Sequence, residues 1–436
     1  MLSYYSQLGL RSLRRSPLLS SLMILAIALG ISASVSVATV NHLMSSNPIP
    51  HKSEQLYYVQ LDSWSPFEPA REPNEPPDQI TWTDALNLME ASAGLRQSAM
   101  ASSGAVLEPS DPDQNPFMVS LRLNFSDFFA LFDTPFLYGS GWQREDDEQR
   151  AYVAVITRAM NDRLFGGENS VGETITLAGK PFRVVGVLDT WQPVPKFYDV
   201  TVGAFNTAED VFIPFYMKQQ LELSNGGNTN CWKSPDGEGF EAFLNSECVN
   251  YQFWVELPTE GDKAAYINFL NSYVEQQKQL GRFERPLNNR LSNVMQWLEN
   301  EEVVADDAQI MLYMAFMFLF VCLVNTVGLL LAKFAGKTPE IALRRAVGAS
   351  RKDIFIQHMI ESACIGILGG LLGLLMTLGG LEAIKQLYGD YMQNLVKLDL
   401  TMIAFAIILS LLSSLLAGLY PTWRACAVQP ASQLKL

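Results

Sequence analysis

His358 and Glu361 stand three residues apart near the start of a long apolar run, which places both on one face of a helix. Ionisable residues in such a run could relay protons or clamp neighbouring helices together, and the clamp is the favoured reading. Asn325, in an earlier apolar run, is expected to hydrogen-bond between helices rather than touch a substrate. Gly336-Lys337-Thr338 resembles the tail of a phosphate-binding loop, but that loop requires glycine at position 331, where this chain has Leu331. A nucleotide site is therefore not expected here. Glu145 to Glu148 lacks the spaced ligands and central glycine of a calcium loop and reads as a solvated loop. The chain has no H-E-x-x-H, G-x-S-x-G or paired C-x-x-C motif, and its three histidines are His42, His51 and His358. No metal site or catalytic residue is expected.

The elements that must position these residues follow from charge and hydropathy. The 436 residues carry a net charge of −14, unevenly spread. Between Asn41 and Asp307, 18 Lys and Arg face 39 Asp and Glu, whereas the remainder has 13 against 6. An acidic soluble block is therefore inserted into a basic membrane block. Four runs reach the roughly 20 apolar residues that a bilayer requires: 18–40, 308–332, 354–381 and 400–420. Ser36-Val37-Ala38 loosely resembles a cleavage site, but the first run exceeds the roughly 7–15 residues of a signal h-region, so it reads as a retained span.

Arg11, Arg14 and Arg15 precede the first span, and Lys333, Lys337, Arg344, Arg345, Arg351 and Lys352 lie between the second and third. By the positive-inside rule these ends are cytoplasmic. Segments 1–17 (a basic amphipathic lead), 333–353 and 421–436 are then inside, while 41–307 and the short loop 382–399 are outside. Cys231 and Cys248 are the two cysteines of the outer block, where oxidation is permitted. A disulfide closing a loop of about 17 residues is expected to stabilise by roughly 3 kcal/mol, two buried thiols being the alternative. Gly366 with Gly370, and Gly369 with Gly373, form overlapping G-x-x-x-G patterns, and Gly30 belongs to a small-residue face with Ala26, Ser34 and Ala38. Such faces permit close helix approach, either within the chain or against a second copy.

Strand-like alternation marks Gln55 to Leu61, Val119 to Leu123 and the run from Tyr152 to Ile156, with helices over Thr83 to Ala93 and in Gly261 to Glu302. The outer block is therefore mixed α+β, with a Pro- and acid-rich loop from Ser65 to Asp78.

Between the second and third spans, Thr338 can cap a helix, Pro339 suits its first turn, Glu340 favours its positive end and Gly348 stops it. Ser350 with Asp353 then forms a capping box for the next helix. Glu340-Ile341, Arg344-Arg345-Ala346-Val347-Gly348-Ala349, Asp353-Ile354 and Gln357 to Glu361 closely resemble the cytoplasmic coupling segment of MacB/FtsX-type ABC transporter permeases. The Val-Ala-Val-Ile, Leu-Phe-Gly, Val-Gly and Val-Val-Gly-Val series from Val153 to Val187 resembles that family's periplasmic core domain. Gly418, Tyr420-Pro421, Arg424-Ala425 and Pro430 resemble its closing signature, whereas Trp191 to Glu260 finds no match.

The resemblance implies a bacterial inner-membrane permease with four transmembrane helices. A large α+β periplasmic domain of two lobes would be inserted between helices 1 and 2. Glu340, Ile341, Arg344, Arg345, Gly348, Ala349 and Asp353 would couple it to a separate cytoplasmic ABC ATPase dimer, which would hold the ATP and magnesium. A second permease, identical or related, membrane lipid, and a periplasmic membrane-fusion protein with an outer-membrane channel are further implied partners; nucleic acid is not. Export of peptides or antibiotics is the preferred function. Lipoprotein release, control of cell-wall hydrolases and a non-transporting sensor or scaffold are alternatives. The family often has glycine where Ala342 stands and an acid- and Arg-rich run at Gly336 to Pro339, so contacts with the ATPase could differ here.

Overall fold

A computed structural model describes residues 8, 11–109, 114–304, 306–388 and 400–427. The expected loop 382–399 lies largely outside them, as do Pro430 and the end of the tail. Two compact units result, one formed by the chain up to Ser45 together with the chain from Val304 onward, the other by Ser46–Val303.

Among the described residues of the first unit, four helices are long and apolar enough to cross a membrane: Pro17–Met44, Gln309–Ala335, Arg351–Ala383 and Leu400–Cys426. The second belongs to a helix that begins at Asp306, and the third continues to Tyr388. Side chains without a Cβ set how closely these spans approach. A Cβ at Gly30 would lie 2.7 Å from Leu319 Cδ1, which brings the first span against the second, and Ser34 Oγ donates to the Ala315 carbonyl across the same contact at 3.1 Å. Gly369 and Gly373 face Ile27, Ala28 and Ile31 of the first span, while Gly366 and Gly370 receive Ser414 and Ser410 of the fourth. Ser410 also donates to the Gly366 carbonyl at 2.5 Å. Every glycine of the two overlapping motifs is therefore used in packing within this chain. Asn325, by contrast, lies on an exposed face of the second span, and no hydrogen bond to another helix is made there among the described residues, contrary to expectation.

The second unit is organised by one sheet. Its strands are β1 (Leu56–Gln60), β2 (Ile80–Thr81), β3 (Arg96–Glu108), β4 (Phe117–Asn124), β5 (Phe136–Gly139), β6 (Val153–Thr157), β7 (Thr174–Leu177), β8 (Lys180–Leu188), β9 (Val211–Pro214), β10 (Asn230–Cys231), β11 (Cys248–Glu256) and β12 (Arg290–Asn293). The main path runs β12-β1-β11-β3-β4-β9-β6-β8-β5, with β2 and β10 on β11, and β7 bridging β3 and β8. Alternate residues point to opposite faces, and both faces are covered. Tyr57, Val59, Tyr251, Phe253, Ala154 and Ile156 join one apolar cluster, while Leu56, Tyr58, Trp254, Val153 and Val155 join another. One continuous sheet runs through the residues for which two lobes are expected.

Local rules explain the peripheral helices. Thr81 caps the helix Trp82–Ala91 and Thr157 caps Arg158–Phe165, each hydroxyl accepting from the backbone N–H three residues on. Thr259 and Asp262 form a capping box for Glu260–Gln279, which buries Tyr266, Leu270 and Tyr273.

Two expectations are corrected, and one unassigned region finds its place. Glu145 to Glu148 is not a solvated loop but lies in the short helix Arg144–Glu148, and Asp147 is buried, accepting from Trp142 Nε1 at 2.9 Å and Ser126 N at 2.8 Å. The segment Gly261 to Glu302 is not all helix, because β12 forms within it where the chain meets the free edge of β1, from Tyr57↔Asn293 to Gln60↔Arg290. The region Trp191 to Glu260 contributes β9 and β11, the latter buried along its whole length, so it builds the middle of the sheet. Cys231 and Cys248 face each other across β10 and β11 and form a disulfide.

Candidate functional site: the coupling helix and its clamp

The site lies in the membrane unit, where the chain turns between the second and third spans. Lys337 occupies the N-cap of the helix Thr338–Ala346, so Thr338 is its first residue and not its cap. The Thr338 hydroxyl donates backward to the Ala335 carbonyl at 2.8 Å, leaving the cap role unfilled by any side chain. Pro339 stands in the first turn, and Gly348 leaves the helix at φ +107°, a conformation costly for any residue with a Cβ. Ser350 and Asp353 satisfy each other's backbone N–H groups, Ser350 Oγ accepting from Asp353 N at 3.1 Å and the Asp353 carboxylate accepting from Ser350 N at 3.2 Å. That reciprocal cap starts the third span at Arg351.

Two layers of charge hold this helix. In the outer layer Arg344 donates to Glu340 at 2.7 Å and to Gln357 of the third span at 2.8 Å, and Arg15 approaches Glu340 at 3.7 Å. Arg344 is thus engaged within the chain on two sides. In the inner layer Glu361 is buried and gathers partners from three segments. Lys333, at the end of the second span, reaches it at 2.8 Å, Lys337 at 3.1 Å, and the Ser12 hydroxyl donates from the N-terminal lead. His358 Nδ1 lies 3.4 Å away on the same helix, its ring against Phe334 at 4.4 Å. Lys333 also donates to Ser20 of the first span at 3.1 Å. One carboxylate therefore ties the lead, the ends of two spans and the start of the coupling helix together. Two ammoniums and one carboxylate sharing a low-dielectric site are held in place by mutual dependence, since removing the anion would strand the cations.

Ile341 and Ala342 are buried beneath the helix, whereas Leu343 and Val347 are 57% and 81% exposed. Ala349 and Asp353, with Leu343 and Val347, line a shallow surface depression. Sequence reasoning singled out Glu361 and His358 but missed Lys333, Lys337 and Ser12 as their partners, and missed Leu343 and Val347. A carboxylate within a span requires a counter-charge, and Lys333 and Lys337, four residues apart at the end of the preceding span, were the available signal. Among the described residues no group of His, Cys, Asp and Glu has the arrangement of a metal site.

The second unit has a comparable network of its own. Arg122 of β4, fully buried, donates to Asp199 at 2.7 Å and to Glu209, while Lys196 and Tyr198 donate to Glu209 at 3.0 and 2.8 Å. The two nearby cations hold the Glu209 carboxyl down at about 2 against the opposing effect of burial. The network pins the segment around residues 196–209 to the sheet and offers no open cleft.

Four membrane helices with a large α/β domain inserted after the first define a multi-pass permease-type membrane protein. The MacB-like periplasmic core domain matches residues 20–266, and the FtsX-like permease C-terminal domain matches residues 312–430. The chain belongs to the MacB-like periplasmic core domain family and carries an FtsX-like permease C-terminal region. Among curated relatives, a macrolide export ATP-binding/permease protein MacB of Bdellovibrio bacteriovorus is 24% identical over 302 residues, covering 69% of this chain and 41% of the relative. A pyoverdine export ATP-binding/permease protein PvdT of Pseudomonas syringae is 24% identical and is covered over 42% of its length. The chain thus spans about two fifths of the length of these relatives. It spans 98% of an uncharacterized ABC transporter permease YknZ of Bacillus subtilis, at 21% identity and with 98% of this chain covered. The crystal structure of the periplasmic region of MacB from Actinobacillus actinomycetemcomitans aligns with a TM-score of 0.37 and 14% identity, over 58% of this chain and 95% of that one.

Proposed function

We propose that this chain is the permease subunit of a MacB-type ABC transporter. A separate cytoplasmic ATPase, binding ATP and magnesium, drives a conformational change in the periplasmic domain that exports peptides, antibiotics or similar substrates. Both termini face the cytoplasm, a reading supported by the basic residues around the lead and the coupling helix. The observation that carries the proposal is a short helix, held through Glu340, Arg344 and the Glu361 clamp, that presents Leu343 and Val347 unburied. Apolar side chains presented by a braced element suit a docking knob, because displacement of the knob would reach the spans through the clamp. Substrate need not pass between the spans in such a mechanism.

The test is Leu343→Asp with Val347→Asp in the full chain, co-expressed with its ATPase. Loss of ATPase co-purification with unchanged thermal stability is expected; retention of the ATPase refutes the docking role. Arg344→Glu with Arg345→Glu is expected to uncouple hydrolysis from export while the protein still folds, and full export activity would remove the coupling assignment.

A further inference from the structure

A groove of about 340 Å³ opens between the N-terminal lead and the coupling helix. Arg11, Arg14, Arg15, Lys337 and Arg344 line it, and Glu340 is its one lining carboxylate. Glu340 is already paired with Arg344 and Arg15, and Glu361 beneath is held by Lys333 and Lys337. Among the described residues Arg11 and Arg14 make no ion pair. The groove therefore carries a surplus of positive charge that its own carboxylates do not meet.

Its position selects the anion. Arg14 precedes the first residue of the first span, Pro17, by three residues, with the helix broken between them at Ser16. On the far wall, Ile354, Gln357 and His358 are in the opening turns of the third span. The cations thus lie at the height where lipid headgroups meet water, and Leu8, Ile341 and Ile354 give part of the wall an apolar lining. Basic pockets between spans at the cytoplasmic surface suit anionic headgroups, each nearby cation strengthening binding about fivefold.

We propose that this groove binds the phosphodiester headgroup of an anionic phospholipid of the inner leaflet, with Arg11 and Arg14 as its main contacts. The bound lipid brackets the lead against the coupling helix. The inference rests on the membrane orientation given above, but not on the transport reaction.

The test uses the full chain in detergent, titrated with dioctanoyl phosphatidylglycerol, and with dioctanoyl phosphatidylcholine and inorganic phosphate as comparison probes. Phosphatidylglycerol should bind at least tenfold tighter than either. Arg11→Gln with Arg14→Gln should weaken it about 25-fold, whereas Arg351→Gln with Lys352→Gln, cations outside the groove, should leave it within twofold. Equal binding of the two lipids, or unchanged affinity in the Arg11/Arg14 variant, overturns the proposal. Phosphate binding as tightly as the lipid reassigns the groove to a free anion. Loss of ATPase binding in that variant with lipid affinity intact reassigns it to a protein partner. The readout is lipid affinity without ATP, so this result and the docking result above fail independently.

Discussion

The clamp at Glu361 can be taken apart with one nearly isosteric change. Glu361→Gln keeps the volume of the side chain but removes the charge opposite Lys333 at 2.8 Å and Lys337 at 3.1 Å and exchanges one acceptor oxygen for an amide donor. The Lys333 and Glu361 side chains are each 1% exposed, so water cannot replace the lost anion for Lys333, while Lys337, at 21%, has a partial route to solvent. Breaking a buried pair by removing one partner costs about 3–5 kcal/mol, against about 0–1 kcal/mol for an exposed pair. Most of that cost is the stranded Lys333 ammonium, so Lys333→Met added to Glu361→Gln should recover at least half of it. Equilibrium unfolding in mixed micelles, followed by tryptophan fluorescence for wild type, both single variants and the double variant, gives the coupling energy directly. A loss below about 1 kcal/mol for Glu361→Gln, or a strictly additive double variant, would refute the view that this carboxylate holds the segments together.

Three other changes probe the remaining structure. Gly370→Leu should drive the third and fourth spans apart at Ser410 and cost about 1–3 kcal/mol in the same unfolding assay, whereas Gly379→Ala, where a Cβ meets nothing within 4 Å, should be neutral or slightly stabilising. Replacing Cys231 and Cys248 by serine should lower the stability of the Ser46–Val303 unit by about 3 kcal/mol, since the bridge closes a 17-residue separation; thermal unfolding with and without reductant checks this. Lys218 is fully buried, donates to the Ser224 carbonyl, and is pushed down to about 7 by burial. Between pH 7 and its ordinary 10.5 the unfolded chain binds the proton and the folded chain does not, so stability rises with pH across that window, by on the order of 3–5 kcal/mol. Lys218→Met should abolish the slope, and a wild-type stability flat from pH 7 to 10 would contradict it.

What could be read from the chain alone was what neighbouring residues decide. The Ser350–Asp353 cap, the stop at Gly348 and the four apolar runs depend on residues a few positions apart. The Thr338 cap failed because Lys337 took the N-cap in the tight turn from the second span, and a turn of that kind is set by packing of the spans. Glu361 stood out as a clamp, but Ser12 is 349 residues away, so its part in the network depends on the folded arrangement. β11 was partly legible, since Val249-Asn250-Tyr251-Gln252-Phe253 alternates apolar and polar residues, but the alternation breaks at Trp254-Val255 and the strand is buried on both faces, where its polar residues also lie inside. Asp147 went unrecognised because its acidic neighbours suggested solvent, whereas Trp142 and Ser126 supply the donors that allow its burial, which lifts its carboxyl to about 6.

The first strand of the inserted unit, β1, pairs antiparallel with its last, β12, four residues against four. The polypeptide consequently enters and leaves this unit along neighbouring strands, with backbones about 5 Å apart. Such a unit is attached like a drawer with both rails on one side: its interior can gain strands, loops or a disulfide without moving the points of attachment. The segment from Trp191 to Glu260, unmatched by its motifs but inside the residues that the MacB-like periplasmic core domain covers, supplies the interior strand β11 and both cysteines of the disulfide without supplying either rail. Descendants of a common ancestor could then remodel what the outer unit recognises while inheriting an unaltered pair of connections to the first and second spans.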